Sequence, residues 1–243
     1  MLVVKRKGRG MVDVNEIKVL LEQCDDEKLK QIFDYLRTKI HIHPIEEKLN
    51  CKAEIILEAI DRASDLTLRG IRGIIAESAF KYEVIEKTPG LNDVTPGGND
   101  AFDFEIEDAK GRIKIQVKMQ RQKSQRPMTA NEGYRFLSPD MFVVETQKTR
   151  SGKDTRTGAD TRPYRFGEFE ILAVSMHPST NDWSSFKYTV ARWLLPRPEN
   201  ANLMLKFQPI ARETNSDWTD NLITCMEWFR SDVNKTISPE LVA

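Results

Sequence analysis

The amino-acid sequence predicts an α/β fold: a mixed central β-sheet flanked by helices, with a helical N-terminal region ahead of it. Three observations predict it. Up to about residue 88 the apolar residues recur three and four positions apart, the spacing of amphipathic helices. From Phe102 to Met119 they alternate with polar residues, the period of half-buried strands. Beyond Met141, short apolar runs continue the strands and a last helical stretch closes the chain.

The elements follow in order. Asn15 to Lys39 has helical spacing through Ile17, Leu20, Leu21, Cys24, Leu29, Ile32, Phe33 and Leu36, with an interruption near Asp25. Two helices are expected over residues 51–63 and 68–86, the second with an apolar stripe of Leu68, Ile71, Ile75, Ala79 and Tyr82. The Gly/Pro/Asn/Asp-rich segment PGLNDVTPGGND is a loop. After the alternating segment come a polar turn or short helix at 131–136, strands over 141–147 and 166–176, and a helix over 218–229. Trp183, Phe186, Tyr188 and Trp193 are spaced as core residues, although aromatics can also stack on bases. The chain thus divides into a helical region, 1–65, and a core, 66–243.

The alternating segment carries the chemistry. Phe102, Phe104 and Ile106 share one parity, as do Ile113, Ile115, Val117 and Met119 across a turn. Asp103, Glu105, Glu107, Lys114, Gln116 and Lys118 therefore face the other way. With Glu107 opposite Arg112 around a loop of Asp108 to Gly111, Asp103 lies across from Gln116, and opposed Cβ atoms sit about 4.5–5.5 Å apart. Lys118 leaves the same face. A slip of one residue would turn Phe104 to the polar side. Asp100 competes with Asp103 for the position of the acid; it has the wrong parity unless a bulge or a late strand start intervenes.

A carboxylate, an amide oxygen and an ammonium on adjacent strands suit phosphodiester hydrolysis. A hard cation with oxygen ligands polarises the phosphate, and a positive group steadies the attacking hydroxide.

Asp103, followed on the next strand by Gln116-Val117-Lys118, resembles the signature of the PD-(D/E)xK nuclease superfamily in a QxK form, most of all its type II restriction endonucleases. The resemblance implies a restriction-endonuclease-like core that uses Mg²⁺ to cut double-stranded DNA to 5′-phosphate and 3′-hydroxyl ends. It implies that Asp103, Gln116 and the Val117 carbonyl hold the metal and that Lys118 orients or deprotonates the attacking water. Many members carry an acid on the helix before the catalytic strands, a place held here by Glu77. Glu105, one pair along from Asp103, is a further candidate ligand, and the plainer reading of both glutamates is a solvated surface charge. The sequence departs from the pattern in having no Pro before Asp103 and a neutral Gln116, which lowers metal affinity unless another acid compensates. The motif covers residues 77–118, and topology extends the resemblance loosely to 176.

The surroundings are basic although the chain is not. Formal net charge is +0 and pI about 6.9, which excludes a bulk cationic coat protein. Between Asp108 and Arg165, however, there are 14 Lys or Arg against 6 Asp or Glu. Arg121, Lys123 and Arg126 follow Lys118 directly. Lys148, Arg150, Lys153, Arg156 and Arg162 lie in a long polar segment without hydrophobic period, a recognition loop for DNA or else a solvated insertion. The expected partner is duplex DNA, and a palindromic site would call for a homodimer. A structure-selective repair or junction nuclease would use the same site. A noncatalytic DNA-binding module derived from a nuclease is the reading that Gln116 favours.

The remaining features bound the answer. Cys24, Cys51 and Cys225 form no CxxC pair, so a reducing cytoplasm is expected. No apolar run approaches the roughly 20 residues of a membrane span, and the opening MLVVKRKGRGM reads as a basic tail rather than a secretory signal. His41, His43 and His177 lack metal-ligand neighbours and are expected to be structural or at the surface. Asp140, Glu145 and Lys148 in SPDMFVVETQK imitate the nuclease pattern, but four residues between the acids leave no room for two strands and a turn.

Overall fold

The computed structural model describes residues 13–41, 43–98, 100–148 and 161–239. The chain forms two compact units, Met1–Ser64 and Asp65–Ala243. Among the described residues no helix is long and apolar enough to cross a membrane.

The first unit is helical: α1 (Val14–Glu22), α2 (Asp26–Arg37), α3 (Ile45–Leu49) and α4 (Ala53–Asp61). The expected interruption has a local cause. Asp25 caps α2, its carboxylate accepting from the Lys28 N–H at 2.9 Å, which satisfies one of the unpaired donors of the first turn. Arg37 ties the later helices together, reaching Glu46 Oε1 at 2.6 Å and Glu54 Oε1 at 3.0 Å. The expected apolar face is not a core: Ile17, Leu20, Leu29, Phe33 and Leu36 are exposed. Four short helices enclose too little volume to bury such a stripe.

The second unit is built on a five-stranded mixed sheet, the architecture expected from the sequence. Its strands are β1 (Asn92–Asp93), β2 (Phe104–Asp108), β3 (Gly111–Met119), β5 (Ile171–Ser175) and β6 (Phe186–Val190), in the order β1-β2-β3-β5-β6. β2 and β3 are antiparallel, β3 and β5 parallel, and β5 and β6 antiparallel. Between β3 and β5 the chain forms β4 (Phe142–Glu145), which pairs with β7 (Phe207–Ile210) in a second, two-stranded sheet. A bridge from Gln120 to Val144 joins β4 to the end of β3.

The register is the expected one. Phe104 pairs with Ile115, Ile106 with Ile113 and Glu107 with Arg112. Pairing runs one residue further than expected, to Asp108 and Gly111, so Ala109 and Lys110 alone make the turn; Gly111 at φ 115° tolerates the conformation that closes it. Arg230, at the end of α6 (Leu222–Arg230), clamps this turn through its two terminal guanidinium nitrogens, at 2.8 and 2.6 Å from the Asp108 carboxylate. Arg230→Ala is expected to lower stability by about 1 kcal/mol, since the pair is partly exposed. Urea unfolding followed by tryptophan fluorescence measures it, and an unchanged midpoint would deny the clamp any role.

The helix before the sheet is displaced from its expected bounds and phase. α5 spans Asp65–Ala79 and widens into a π-helical segment, Phe80–Ile85. Its buried positions are Ala76, Phe80 and Ile85, whereas Ile75 and Tyr82 are exposed. The true stripe is thus one residue, about 100°, from the expected one. Phe80 decides this: its ring packs against Phe104 and Phe186 at 5.4 Å and Tyr188 at 6.3 Å, on the apolar face of the sheet.

Two more expected bounds shrink. The strand expected over 166–176 is only Ile171–Ser175, because Gly167 at φ 90° turns the chain before it. The helix expected from Trp218 starts at Leu222, where Asn221 caps it, and Trp218 is fully buried ahead of it. Phe186, Tyr188 and Trp193 are core residues, as their spacing indicated.

Candidate functional site

The site lies where β2 begins and β3 ends. Asp103 stands one residue before β2, its N–H donating to the Ile115 carbonyl at 3.0 Å, so the pairing continues past the last formal strand residue. Its carboxylate then reaches across to β3. Oδ2 accepts from the Val117 N–H at 2.8 Å and from the Gln116 amide. The same Gln116 Nε2 also donates to the Val117 carbonyl at 3.1 Å. Asp103, Gln116 and Val117 therefore converge on one point. Asp100 is exposed in the preceding loop, and Asp103 is the acid that meets the QxK segment.

Lys118, two residues beyond Gln116, leaves the same face, and Glu77 approaches from α5. Burial and the Asp103 charge push the Glu77 carboxyl up to about 7, with the Lys118 ammonium pulling it back. Burial also raises Asp103, opposed by Lys118 and by the Val117 and Gln116 hydrogen bonds. Lys118 itself is held below the ordinary lysine range by burial, against the attraction of Asp103, Glu77 and Glu145. These three groups thus act on one another in a poorly solvated place. A neutral Gln116 fits there: it is 1% exposed, and a third carboxylate would add repulsion to two acids already hard to ionise.

Glu105 is not brought to this cluster. Its carboxylate faces Arg112 at 4.0 Å, further down the hairpin. The reason is distance along the strand: two residues carry a side chain about 7 Å away from Asp103.

A cavity of about 600 Å³ opens beside Lys118 and Glu77. Of the cations expected to meet DNA, Arg121, Lys148 and Arg162 line it. Lys123 and Arg126 do not; both engage Glu132, at 3.2 and 2.7 Å, around the short helix Ala130–Gly133. Arg150, Lys153 and Arg156 lie outside the described residues.

The structure adds Arg69, Lys206 and Tyr164, which the sequence did not single out, and Glu145, which it had set aside as part of an imitation of the nuclease pattern. Arg69 and Lys206 supply further positive charge to the cavity wall. Glu145 lines it too, held by Arg121 at 3.3 Å and Lys206 at 3.5 Å. Tyr164 is 4% exposed, and the Lys118 and Lys148 ammonium groups each lie 5.4 Å from its ring centre, within cation–π range. Burial, then the charges of Asp103, Glu168 and Glu77, push its hydroxyl well above the usual tyrosine range, so it stays protonated. No local pattern announces Arg69, Tyr164 or Lys206, since each arrives from a segment whose partner the sequence does not name. The histidines are elsewhere: His177 stacks on Trp183 at 3.9 Å, and His41 lies 3.8 Å from Glu46.

Among the described residues no group of three His, Cys, Asp or Glu side chains could hold a metal ion. The donor set near Asp103 differs in kind: a carboxylate oxygen and a backbone carbonyl both point at the Gln116 amide nitrogen. Two oxygens aimed at one electropositive atom, with a second carboxylate close by, are a fit for a hard cation.

No protein-family model and no curated protein matches this chain. Among solved structures it is similar to a bacterial homing endonuclease, I-Ssp6803I, at 18% sequence identity and a TM-score of 0.33, over 53% of this chain and 70% of that one.

Proposed function

We propose that this chain is a Mg²⁺-dependent endonuclease that hydrolyses phosphodiester bonds of double-stranded DNA, acting at defined sequences as a type II restriction enzyme does. The observation that carries the reading is the convergence of Asp103, Gln116 and the Val117 carbonyl, with Lys118 and Glu77 acting on the same carboxylate. The cationic wall of the adjoining cavity supports a polyanionic substrate.

Asp103, the Val117 carbonyl and Glu77 are the groups that would hold Mg²⁺, with Gln116 joining them only if its amide turns its oxygen to the place its nitrogen occupies here. When bound, the ion supplies positive charge to phosphate oxygens that gain negative charge in the transition state. The chain's own residues do the rest. Lys118, whose burial favours the neutral amine, takes a proton at Nζ from the attacking water and then holds the developing anion by charge. Tyr164 confines the Lys118 ammonium to one side of the cavity. Arg121 and Lys148 hold flanking phosphates.

Plasmid DNA incubated with the protein and Mg²⁺ tests this. Discrete fragments carrying 5′-phosphates are expected, and none with EDTA. Cuts confined to branched DNA would replace sequence specificity with structure selectivity. A gel shift without cutting would replace the enzyme with a binding module.

A further inference from the structure

Gln120 is 0% exposed, and neither its amide nitrogen nor its amide oxygen has a hydrogen-bond partner among the described residues. It sits two residues beyond Lys118, on the same side of the strand by alternation, and lines the cavity beside it. A buried amide left wholly unpaired is costly, and natural structures keep such a group where a ligand, an ion or a buried water completes it. Across the cavity α5 presents Gly70 and Gly73, and a Cβ built on either meets nothing within 4 Å. Glycine weakens a helix interior, and no neighbour among the described residues requires it here. The rim residues Leu66 and Ile74 are 75% and 61% exposed, an apolar surface on a cavity otherwise rich in charge.

We propose that this part of the cavity is a slot for a nucleobase unstacked from the strand being cut, with Gln120, whose amide is closed to the cavity until its side chain turns, reading the base edge. The inference rests on the nuclease reading above and deepens it. The argument is one of complementarity. A phosphodiester offers acceptors only and would satisfy the donor half of the amide alone. A base edge offers a donor beside an acceptor, as in the bidentate pairing of glutamine with adenine, and satisfies both halves. The volume of about 600 Å³ admits a nucleoside, the bare glycine face lets the ring approach the helix, and Leu66 and Ile74 supply apolar surface against its faces. A base held two residues from Lys118 has left the duplex stack, because Lys118 attends to the backbone.

Gln120→Met and Gly73→Ala test the slot. Binding of a fluorescein-labelled mixed-sequence single strand is compared with that of an abasic strand of equal length, in Ca²⁺ so that no cutting intervenes. The wild type is expected to prefer the strand with bases at least about tenfold, and each variant less than about threefold, a loss on the scale of one bidentate contact. Plasmid cutting by both variants falls in step. Thermal midpoints guard against misfolding: removing an unpaired amide from a volume-matched side chain, or a glycine from a helix, holds the midpoint or raises it by about 2–4 °C. Should Gln120→Met unfold, Gly73→Ala, which adds one methyl in open space, decides alone. Equal wild-type affinity for both strands leaves only the backbone as ligand and overturns the proposal, as do variants that keep the wild-type preference. A wild type that does not cut plasmid at all sinks the nuclease reading and this inference with it.

Discussion

Lys118→Ala is expected to cut plasmid DNA about 10³-fold more slowly than the wild type while folding normally, a loss in the range of a positioned acid–base group. The argument begins with its surroundings. Lys118 lies in a buried place that disfavours its charge, and Asp103, Glu77 and Glu145 supply the charges that oppose this. Truncation removes the proton acceptor and the positive charge at once. It also leaves Asp103 and Glu77 facing each other without a cation, so both become harder to ionise. The fold should tolerate the change, because the lysine pays desolvation in the native state and its loss offsets that of its ion contacts. Asp103→Ala is expected to match the loss of cutting, since it removes the acceptor shared by Gln116 and the Val117 N–H. Rates within tenfold of the wild type in either variant, with thermal midpoints retained, would deny these residues their catalytic place.

Glu77→Gln is expected to separate stability from activity. The folded-state carboxyl titrates at about 7 against an ordinary value of 4.5. A raised folded value means that the contribution of Glu77 to stability is present in full below about pH 4.5, declines as pH rises, and is lost above about pH 7. In metal-free protein, ionised Glu77 should therefore cost about 2 kcal/mol at pH 8, a figure that allows for the solvent reaching this half-buried group. The glutamine variant lacks that slope. It is expected to be more stable than the wild type at pH 8 in EDTA and equal to it near pH 4. Asp103 titrates with the same sign and is coupled to Glu77, so the difference between the two proteins reports Glu77 together with its repulsion of Asp103. Cutting should fall about 10- to 100-fold, as for a group supporting a metal site. Mg²⁺ should raise the melting temperature of the wild type more than that of the variant. Parallel pH–stability curves for the two proteins would refute the electrostatic account.

The hairpin was the most legible part of the molecule. Its register followed from one rule, that Phe104, Ile106, Ile113 and Ile115 cannot face water together, and the observed pairing obeys it. That rule alone placed Asp103 beside Gln116 and sent Lys118 out of the same face. The helix carrying Glu77 was less legible. Helical spacing identified the element and placed Ala79 against the core, but it chose Ile75 and Tyr82, which are exposed, over Ala76 and Phe80. Ala76 is too small to mark a stripe, and the π-helical segment from Phe80 then sets Ile85 five residues on. The small size of the first unit likewise hid from the sequence that its apolar helix faces would stay exposed.

By itself, then, the sequence determined the hairpin and its register, the approximate places of the longer helices and of β4 and β5, and three side chains of the candidate site, since all of these depend on residues close along the chain. It did not give the strands Asn92–Asp93, Phe186–Val190 and Phe207–Ile210. Only the tertiary structure decided the rest. It set Glu77 against Asp103, brought Glu145 and Tyr164 to Lys118, drew Lys123 and Arg126 away to Glu132, and left the buried Gln120 amide without a partner among the described residues. The physical reason is that charge and burial act through space. Which segments meet is fixed by packing between strands and helices far apart in sequence, and no local pattern encodes that.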